Sequence, residues 1–182
     1  MSYVDALTEA MTWLGEQPDT IFIGQTVAAG GAGISKTLRG VPKDKLVEFP
    51  VAENMQAGAA FGLALAGFVP ICIYPRIDFV LLALDAIVNH IDKIPEMSEG
   101  KMKPRIIIRT SIGPKEPLDG GPQHTQDLRA AISAACINIY VQPLYLGFID
   151  SSPQILKLYK HAYYNRDNVP ATLFVETGAG YA

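Results

Sequence analysis

One acidic residue is distinguished by its position in the chain. Glu53 follows a short apolar segment and the turn Pro50-Val51-Ala52, and it begins a stretch that is almost free of charge and rich in small residues. Acidic residues are favoured in the first turn of a helix by the helix dipole, an effect worth less than about 1 kcal/mol. A carboxylate at the edge of so apolar an element can also be a catalytic acid. On the residue pattern alone, the helix-start interpretation is favoured.

Two ring side chains are further candidates. His124 lies at the end of the long Gly/Pro-containing loop 110–123, just before a predicted helix. It is either a solvated side chain or a group that reaches into a cleft and transfers protons near neutral pH. Phe79 begins a predicted helix directly after a strand, where it either packs in the core or stacks on a ligand. The histidines at 90 and 161 lie within helices and are interpreted as structural.

A small-residue loop at 26–35 contains Gly30 and Gly31. It is not a P-loop, because no Gly-Lys-Ser/Thr follows at the required spacing, and it does not match the Gly-x-Gly-x-x-Gly dinucleotide fingerprint. The favoured interpretation is a flexible turn that lets two backbone segments approach closely. The Cys and His spacing does not predict a metal site, and there is no Gly-x-Ser-x-Gly elbow.

The elements that must position these residues alternate between helix and strand along the chain. The strands are continuous apolar runs, which is typical of a parallel sheet covered on both faces. The sequence therefore predicts one α/β domain over 1–182, with three α/β/α layers and a mostly parallel sheet of about six strands. Predicted helices cover 2–16, about 53–66, about 78–93, 125–135 and 151–165; predicted strands cover 20–24, 46–49, 69–74, 105–109, 137–142 and 171–176; residues 94–104 are predicted to be an exposed connection.

Composition narrows the class of protein. The 182 residues are 49% hydrophobic and 18% charged, with a net charge of −3 and no run of basic residues. Nucleic acid is therefore not the expected partner, and a surface so poor in charge indicates that another chain covers part of it. The uncharged stretch 57–74 is interrupted by Gly67 and Pro70, so it is predicted to be a buried helix and a buried strand rather than a membrane span. Without a signal peptide, and with Cys72 and Cys136 predicted to be buried thiols, we expect a cytoplasmic protein.

Five short motifs occur together in order. They are Val51-Ala52-Glu53, Gly67-Phe68-Val69-Pro70, Asp78-Phe79, Asp85-x-Ile87-x-Asn89 and Gly121-x-x-His124-Thr125-Gln126. In this order and spacing, over about residues 3–176, the chain resembles the pyrimidine-binding domain of thiamine-diphosphate enzymes. The resemblance is closest to the N-terminal half of the beta subunit of 2-oxo acid (pyruvate) dehydrogenases, and transketolase is a more distant relative.

The resemblance implies a role for each candidate. Glu53 would bond N1′ of the aminopyrimidine of thiamine diphosphate and so activate the cofactor. Phe79 would stack on the pyrimidine ring, and His124 would face the substrate. Gly30 and Gly31 would lie in a loop near the cofactor. Asp119 lies near an acidic position that transketolases use for substrate hydroxyls.

The resemblance also implies that the site is incomplete in this chain. The C-terminal domain of the beta subunits, and the Gly-Asp-Gly motif that holds Mg²⁺ and diphosphate, do not occur in the sequence. We therefore expect a diphosphate-binding, alpha-type partner chain that carries Mg²⁺, in a homodimer or an α2β2-like oligomer. The substrate would be a small 2-oxo acid or a ketose. Arg76 and Leu81 stand where relatives often have aromatic residues, which leaves the substrate open.

Three reactions remain open: oxidative decarboxylation, ketol transfer, and decarboxylation by a two-chain enzyme of the sulfopyruvate type. A non-catalytic regulatory or assembly subunit is the alternative from another class. The helix that Glu53 begins has Gly58, Gly62 and Ala66 at intervals of four, which predicts a groove where a helix of another chain packs closely.

Overall fold

A parallel sheet forms the centre of the structure. The computed structural model describes residues 2–116, 118–145, 152–165 and 168–181. Among these residues, six strands pair in the order β2-β1-β3-β4-β6-β5, and every pairing is parallel. The strands are β1 Thr20–Gly24, β2 Leu46–Glu48, β3 Val69–Ile73, β4 Ile106–Ile112, β5 Tyr140–Pro143 and β6 Ala171–Thr177. The α-helices are α1 Tyr3–Glu16, α2 Glu53–Leu65, α3 Ile77–Val80, α4 Ile94–Met97, α5 Arg129–Ala135 and α6 Ser152–Tyr163.

The sheet is covered on both faces, so the predicted three-layer α/β architecture is confirmed. The apolar strand residues divide between two buried clusters, one on each face. One cluster includes Leu7 and Met11 of α1 and Tyr159 of α6, and the other includes Ala60 of α2 and Ile132 of α5. Strands buried on both sides need no polar alternation, which is why they appear in the sequence as continuous apolar runs.

A buried ion pair crosses the middle of the sheet. Arg109 of β4 and Glu176 of β6 are both fully buried, and Arg109 Nε lies 2.6 Å from Glu176 Oε1. The hydroxyls of Tyr159 and Tyr181 also donate to the Glu176 carboxylate. Tyr181 ends the 3-10 turn Gly178–Tyr181, and its ring packs into the cluster that contains α1. This network fixes the last described turn of the chain to the core.

The prediction of one regular helix over 78–93 is wrong. After α3 the chain forms a 3-10 turn at Leu81–Ala83 and a π-helix at Asp85–Ile91. The side-chain oxygen of Asn54 in α2 accepts the Ala86 N–H at 3.2 Å. A side chain that takes a backbone donor from the helical ladder interrupts the α pattern, and π segments of this kind are frequent near functional sites.

Several predicted boundaries also differ from the structure. The connection predicted at 94–104 contains the short helix α4, and β4 runs to Ile112 rather than stopping at 109 because it pairs with β6 along its whole length. Helix α5 begins at Arg129, four residues later than predicted, because the residues before it take part in the site described below. Residue 151, the predicted start of α6, lies outside the described residues.

The uncharged stretch 57–74 does divide into the end of α2 and the strand β3, as predicted. Within the described residues, no helix is long and apolar enough to cross a membrane. The expectation that α2 is buried is wrong for half of its surface: Met55 and Leu65 are 55% and 45% exposed. Cys72 is buried as predicted, whereas Cys136 is only half-buried.

Candidate functional site

The candidate residues gather where the parallel strands end. Because all six strands run in the same direction, the segments that follow them meet at one edge of the sheet, which we call the carboxyl edge. Gln25 follows β1, Glu53 lies five residues after β2, Phe79 lies six residues after β3, and Gly113 follows β4. Open parallel sheets bind ligands at this edge.

Glu53 is the first residue of α2 and is almost fully buried, with 5% of its surface exposed. Its Oε1 accepts a hydrogen bond of 3.0 Å from Nε2 of Gln25. Within the described residues, no cationic group lies within 4.0 Å of the carboxylate, and no hydrogen bond reaches Oε2. The preceding residue, Ala52, provides no side-chain cap. The carboxylate is therefore directed at Gln25 rather than used in a capping box.

The first turn of α2 is fixed to the end of β3 by two buried polar side chains. The Tyr74 hydroxyl donates to the Glu53 carbonyl oxygen at 3.1 Å, and Gln56 Nε2 donates to the Ile73 carbonyl oxygen at 3.0 Å. Burial raises the pKa of Tyr74, so its hydroxyl remains a donor over the physiological range. These contacts place Glu53 next to the strand that leads into Phe79.

A second carboxylate holds the small-residue loop. Glu48 accepts the backbone N–H groups of Thr26, Ala28 and Ala29, the last two at 2.8 and 3.0 Å. Partial burial works to raise the pKa of Glu48, but these backbone hydrogen bonds outweigh it and hold the pKa below its usual range. The loop begins at Gln25, so the anchored backbone fixes the residue that contacts Glu53.

The two candidate glycines serve the shape of this loop. Gly30 and Gly31 have φ values of +76° and +106°, which residues other than glycine adopt only at a cost in free energy. Nothing lies within 4 Å of a Cβ built on either residue, so it is the backbone conformation and not a lack of space that favours glycine here. Their place beside a cofactor stays a prediction.

His124 and Phe79 are brought into contact. Their rings meet edge to face, with centroids 5.6 Å apart and planes at 87°. The Nδ1 atom of His124 is buried and has no hydrogen-bond partner within the described residues. A Cβ on Gly113 would collide with the His124 carbonyl oxygen, so the end of β4 must be glycine for the loop to pack here.

The segment that carries His124 is attached to α3. Gln126 Nε2 donates to Asp78 Oδ1 at 2.8 Å, and Asp78 is buried with Oδ2 unpartnered among the residues described. This contact sets the position of His124 over Phe79, the residue after Asp78. Asp119 is exposed, and its carboxylate accepts the Gly121 N–H within its own turn. Its contact with substrate hydroxyls stays a prediction.

Sequence reasoning missed the roles of Gln25, Glu48 and Gln126. Gln25 lies directly after β1, at the edge where parallel sheets bind ligands, and this position could have identified it as a site residue. The other two are polar residues whose partners lie far along the chain. Gln126 belongs to one of the five motifs, but its local pattern does not indicate that it contacts Asp78, and nothing marks Glu48.

Comparisons with known proteins identify related chains. Residues 1–143 match the family described as "Transketolase, pyrimidine binding domain". A relative from Caenorhabditis elegans, the mitochondrial pyruvate dehydrogenase E1 component subunit beta, is 37% identical over 135 residues, covering 71% of this chain and 38% of that protein. The 2-oxoisovalerate dehydrogenase subunit beta of Bacillus subtilis is 29% identical over 135 residues, covering 71% of this chain and 40% of that protein.

Among solved structures, one described as "Split gene transketolase, inactive beta4 tetramer" matches with a TM-score of 0.66 and 18% sequence identity, covering 94% of this chain and 49% of the other. At that identity the likeness shows a common fold. The chain spans about two fifths of the length of the curated relatives that it matches.

Proposed function

This chain belongs to the transketolase pyrimidine-binding domain family, and on that premise we propose that it is the pyrimidine-binding subunit of a split thiamine-diphosphate enzyme. In this proposal it acts on a 2-oxo acid or a ketose, together with a diphosphate-binding partner chain that carries Mg²⁺. Glu53 is the residue that activates the cofactor.

The observation that carries the proposal is the environment of Glu53. A carboxylate that is 5% exposed and has no cationic neighbour in the described residues is costly to bury, because it loses water without gaining a counter-charge. One amide donor from Gln25 compensates only part of that cost. A ligand ring nitrogen that shares a proton with the carboxylate would supply the missing partner, and N1′ of an aminopyrimidine is such an atom.

The other groups at the carboxyl edge fit the same ligand. Phe79 is half-buried, so part of its ring remains available for stacking against a planar heteroaromatic ring. His124, held edge-on to Phe79, has an unpartnered ring nitrogen with which to bind or exchange a proton. Thiamine diphosphate, when bound, supplies the carbanion chemistry. The chain's own tasks are to hold the pyrimidine, to exchange a proton at Glu53 and to place His124 towards the substrate.

The partner requirement is supported by the exposed surface of α2. Met55, Leu65 and Phe68 are 55%, 45% and 43% exposed, and Leu82 beside them is 63% exposed. A Cβ on Gly58 or Gly62 would meet nothing within 4 Å, so the surface of α2 is open at these positions, where the sequence predicts a groove. Such an apolar surface indicates a protein interface, and we propose that a chain of the same assembly covers it.

Thiamine-diphosphate-dependent turnover of 2-oxo acids and ketoses, measured with and without the diphosphate-binding chain, tests this proposal. We expect turnover only when both chains are present. Full activity of the isolated chain would refute the split site. Calorimetry of the assembled pair then separates an enzyme from a regulatory subunit: cofactor binding at this chain that Glu53→Ala does not weaken would contradict the role of Glu53.

A further inference from the structure

Arg76 lies three residues before Phe79, whose N–H donates to the Arg76 carbonyl oxygen at 3.1 Å, and its side chain is anchored at the ends of two strands. It is the residue before α3, and its Nη1 donates to the Pro75 carbonyl oxygen at 2.9 Å and to Ser111 Oγ at 3.2 Å. Ser111 Oγ in turn donates to the same Pro75 oxygen at 2.8 Å. The guanidinium is therefore held at the carboxyl edge, between β3 and β4.

Arg76 differs from the other described arginines in having no counter-charge. Four of them each lie within 4.0 Å of a carboxylate: Arg39 with Asp5, Arg105 with Asp19, Arg109 with Glu176 and Arg129 with Asp127. Arg76 is half-buried and has no carboxylate within that distance in the described residues. The buried acid nearest in sequence, Asp78, uses Oδ1 for Gln126 instead. A partly desolvated cation without a counter-ion among the described residues is a suitable binding group for an external anion.

The guanidinium of Arg76 also lies close to the backbone of His124. A Cβ built on Gly113 would lie 3.0 Å from Arg76 Nε and would collide with the His124 carbonyl oxygen. Arg76 Nε and the His124 carbonyl oxygen therefore both lie next to Gly113. Within the described residues, hydrogen bonds from the guanidinium leave from Nη1, so Nε and Nη2 remain as paired donors for a carboxylate, phosphate or sulfonate.

We propose that Arg76 binds an anionic group of the substrate, next to His124. This inference rests on the proposed function, because it takes the carboxyl edge to be the substrate site. It assigns the specificity of the enzyme to a residue that stands where relatives often have an aromatic side chain.

The first experiment compares substrates with the assembled two-chain enzyme. We would measure kcat and KM for 2-oxoglutarate against 2-oxopentanoate, and for phosphonopyruvate against 2-oxobutanoate, with wild type, Arg76→Gln, Arg76→Lys and the surface control Arg39→Gln. We expect Arg76→Gln to raise KM about 10- to 100-fold while kcat changes little, since it removes charge-assisted hydrogen bonds. Arg76→Lys should recover part of the affinity, and Arg39→Gln should match wild type.

The substrate pairs identify which anionic group is bound. A loss confined to 2-oxoglutarate and phosphonopyruvate assigns Arg76 to the second anionic group, whereas a loss shared by all four acids assigns it to the carboxylate beside the reacting carbonyl. Unchanged KM values for all four would overturn the proposal. So would an Arg76→Gln variant that only weakens association of the two chains, because the anion would then belong to the partner.

A second measurement does not depend on turnover. Inorganic phosphate titrated into the full chain should shift the Arg76 Nε–H and His124 ring resonances in NMR spectra, and Arg76→Gln should weaken this binding at least about tenfold. Phosphate binding that leaves these resonances unmoved, or that is equal in the variant, would contradict the role of Arg76. If phosphate binds as expected but no thiamine-diphosphate-dependent turnover is found with the partner, the proposed function fails and the anion site stands.

Discussion

Glu176 in strand β6 and Glu53 at the start of helix α2 are both buried carboxylates. Their hydrogen-bonding surroundings are opposite. Glu176 is fully buried and accepts hydrogen bonds from Arg109 Nε and Nη2 at 2.6 and 2.9 Å, as well as from two tyrosine hydroxyls. Glu53 is 5% exposed and receives one amide hydrogen bond, from Gln25. Among the described residues, the charge of the first carboxylate is compensated by an arginine, and that of the second is not.

Although both glutamates are buried, this difference predicts that Glu176 contributes to stability and Glu53 to turnover. Removing the charge of Glu176 leaves a buried arginine uncompensated, so the cost should appear in the free energy of unfolding. Removing the charge of Glu53 relieves an unpaired buried carboxylate, so the folded chain should lose little and the cost should appear in turnover. Substitution of each glutamate by glutamine tests the comparison with almost no change of volume.

The largest effect is expected for Glu53→Gln. Because glutamine cannot exchange a proton with the cofactor ring, kcat of the assembled enzyme should fall about 10³- to 10⁴-fold, the upper range for proton transfer by a positioned side chain. The free energy of unfolding in urea should change by less than about 1 kcal/mol. An unchanged kcat would refute the proton-transfer role, and a large loss of stability would show that Glu53 resembles Glu176 after all.

Glu176→Gln should instead reduce the free energy of unfolding by about 3–5 kcal/mol, because Arg109 stays buried without a full counter-charge. Urea denaturation of the chain measures this change. Asp127→Asn is the matched control, since it breaks the more exposed ion pair with Arg129 and should cost about 0–1 kcal/mol. Equal losses in the two variants would show that burial does not decide the strength of these pairs.

The tyrosines that donate to Glu176 predict a sensitivity to alkaline pH. Burial, followed by the charge of Glu176, raises the pKa of Tyr181 well above its usual range. A raised pKa means that the stabilisation is fully present below the unfolded-state pKa of about 10 and is lost as the pH rises above it. Tyr181→Phe should cost about 1 kcal/mol at pH 7 for one hydrogen bond. Above pH 10 the unfolding free energy of Tyr181→Phe should fall less steeply than that of wild type, and the two slopes should differ by about 1.4 kcal/mol for each pH unit. Equal slopes would contradict a protonated, buried Tyr181.

The sequence predicts the scaffold because the signals for it are local. Each strand is a continuous apolar run between turn residues, and Glu53 is marked by the abrupt change from a strand to a small-residue helix. Phe79 and His124 were predicted separately, and the structure joins them only because β3 and β4 are neighbours in the sheet.

The polar contacts that fix the site have no such local signal. Gln25 and Glu53 are 28 positions apart, and Gln126 and Asp78 are 48 positions apart, so each contact depends on the order of the strands. The exposed half of α2 was predicted only in part: the spacing of its small residues predicted a groove for another chain, but the uncharged stretch 57–74 was also interpreted as buried. Small uncharged residues have the same pattern whether a helix packs in its own core or against another chain.

Glu48 is a third carboxylate, and its hydrogen bonding is intermediate between that of Glu176 and that of Glu53. Its substitution is expected to have a smaller effect on the free energy of unfolding than substitution of Glu176. It is exposed and has no cationic partner in the described residues, but it accepts three backbone N–H groups of the loop that carries Gln25. Its pKa lies below the usual range, so its stabilisation is present above the unfolded-state pKa of about 4.3 and is lost as the pH falls through the folded-state pKa. Glu48→Gln should therefore cost about 1 kcal/mol of unfolding free energy at pH 7, a value reduced by solvent screening.

As the pH falls below the folded-state pKa of Glu48, the stabilities of wild type and Glu48→Gln should converge, because the wild-type carboxylate is then protonated in the folded chain as well. Amide exchange at Ala28 and Ala29 provides the local readout, and it should be faster in the variant at pH 7. Glu99→Gln, at an exposed carboxylate paired with Lys101, is the control that should show neither effect. A difference between wild type and Glu48→Gln that persists in acid would mean that the charge of Glu48 is not what orders the loop, and that Gln25 is held against Glu53 by packing alone.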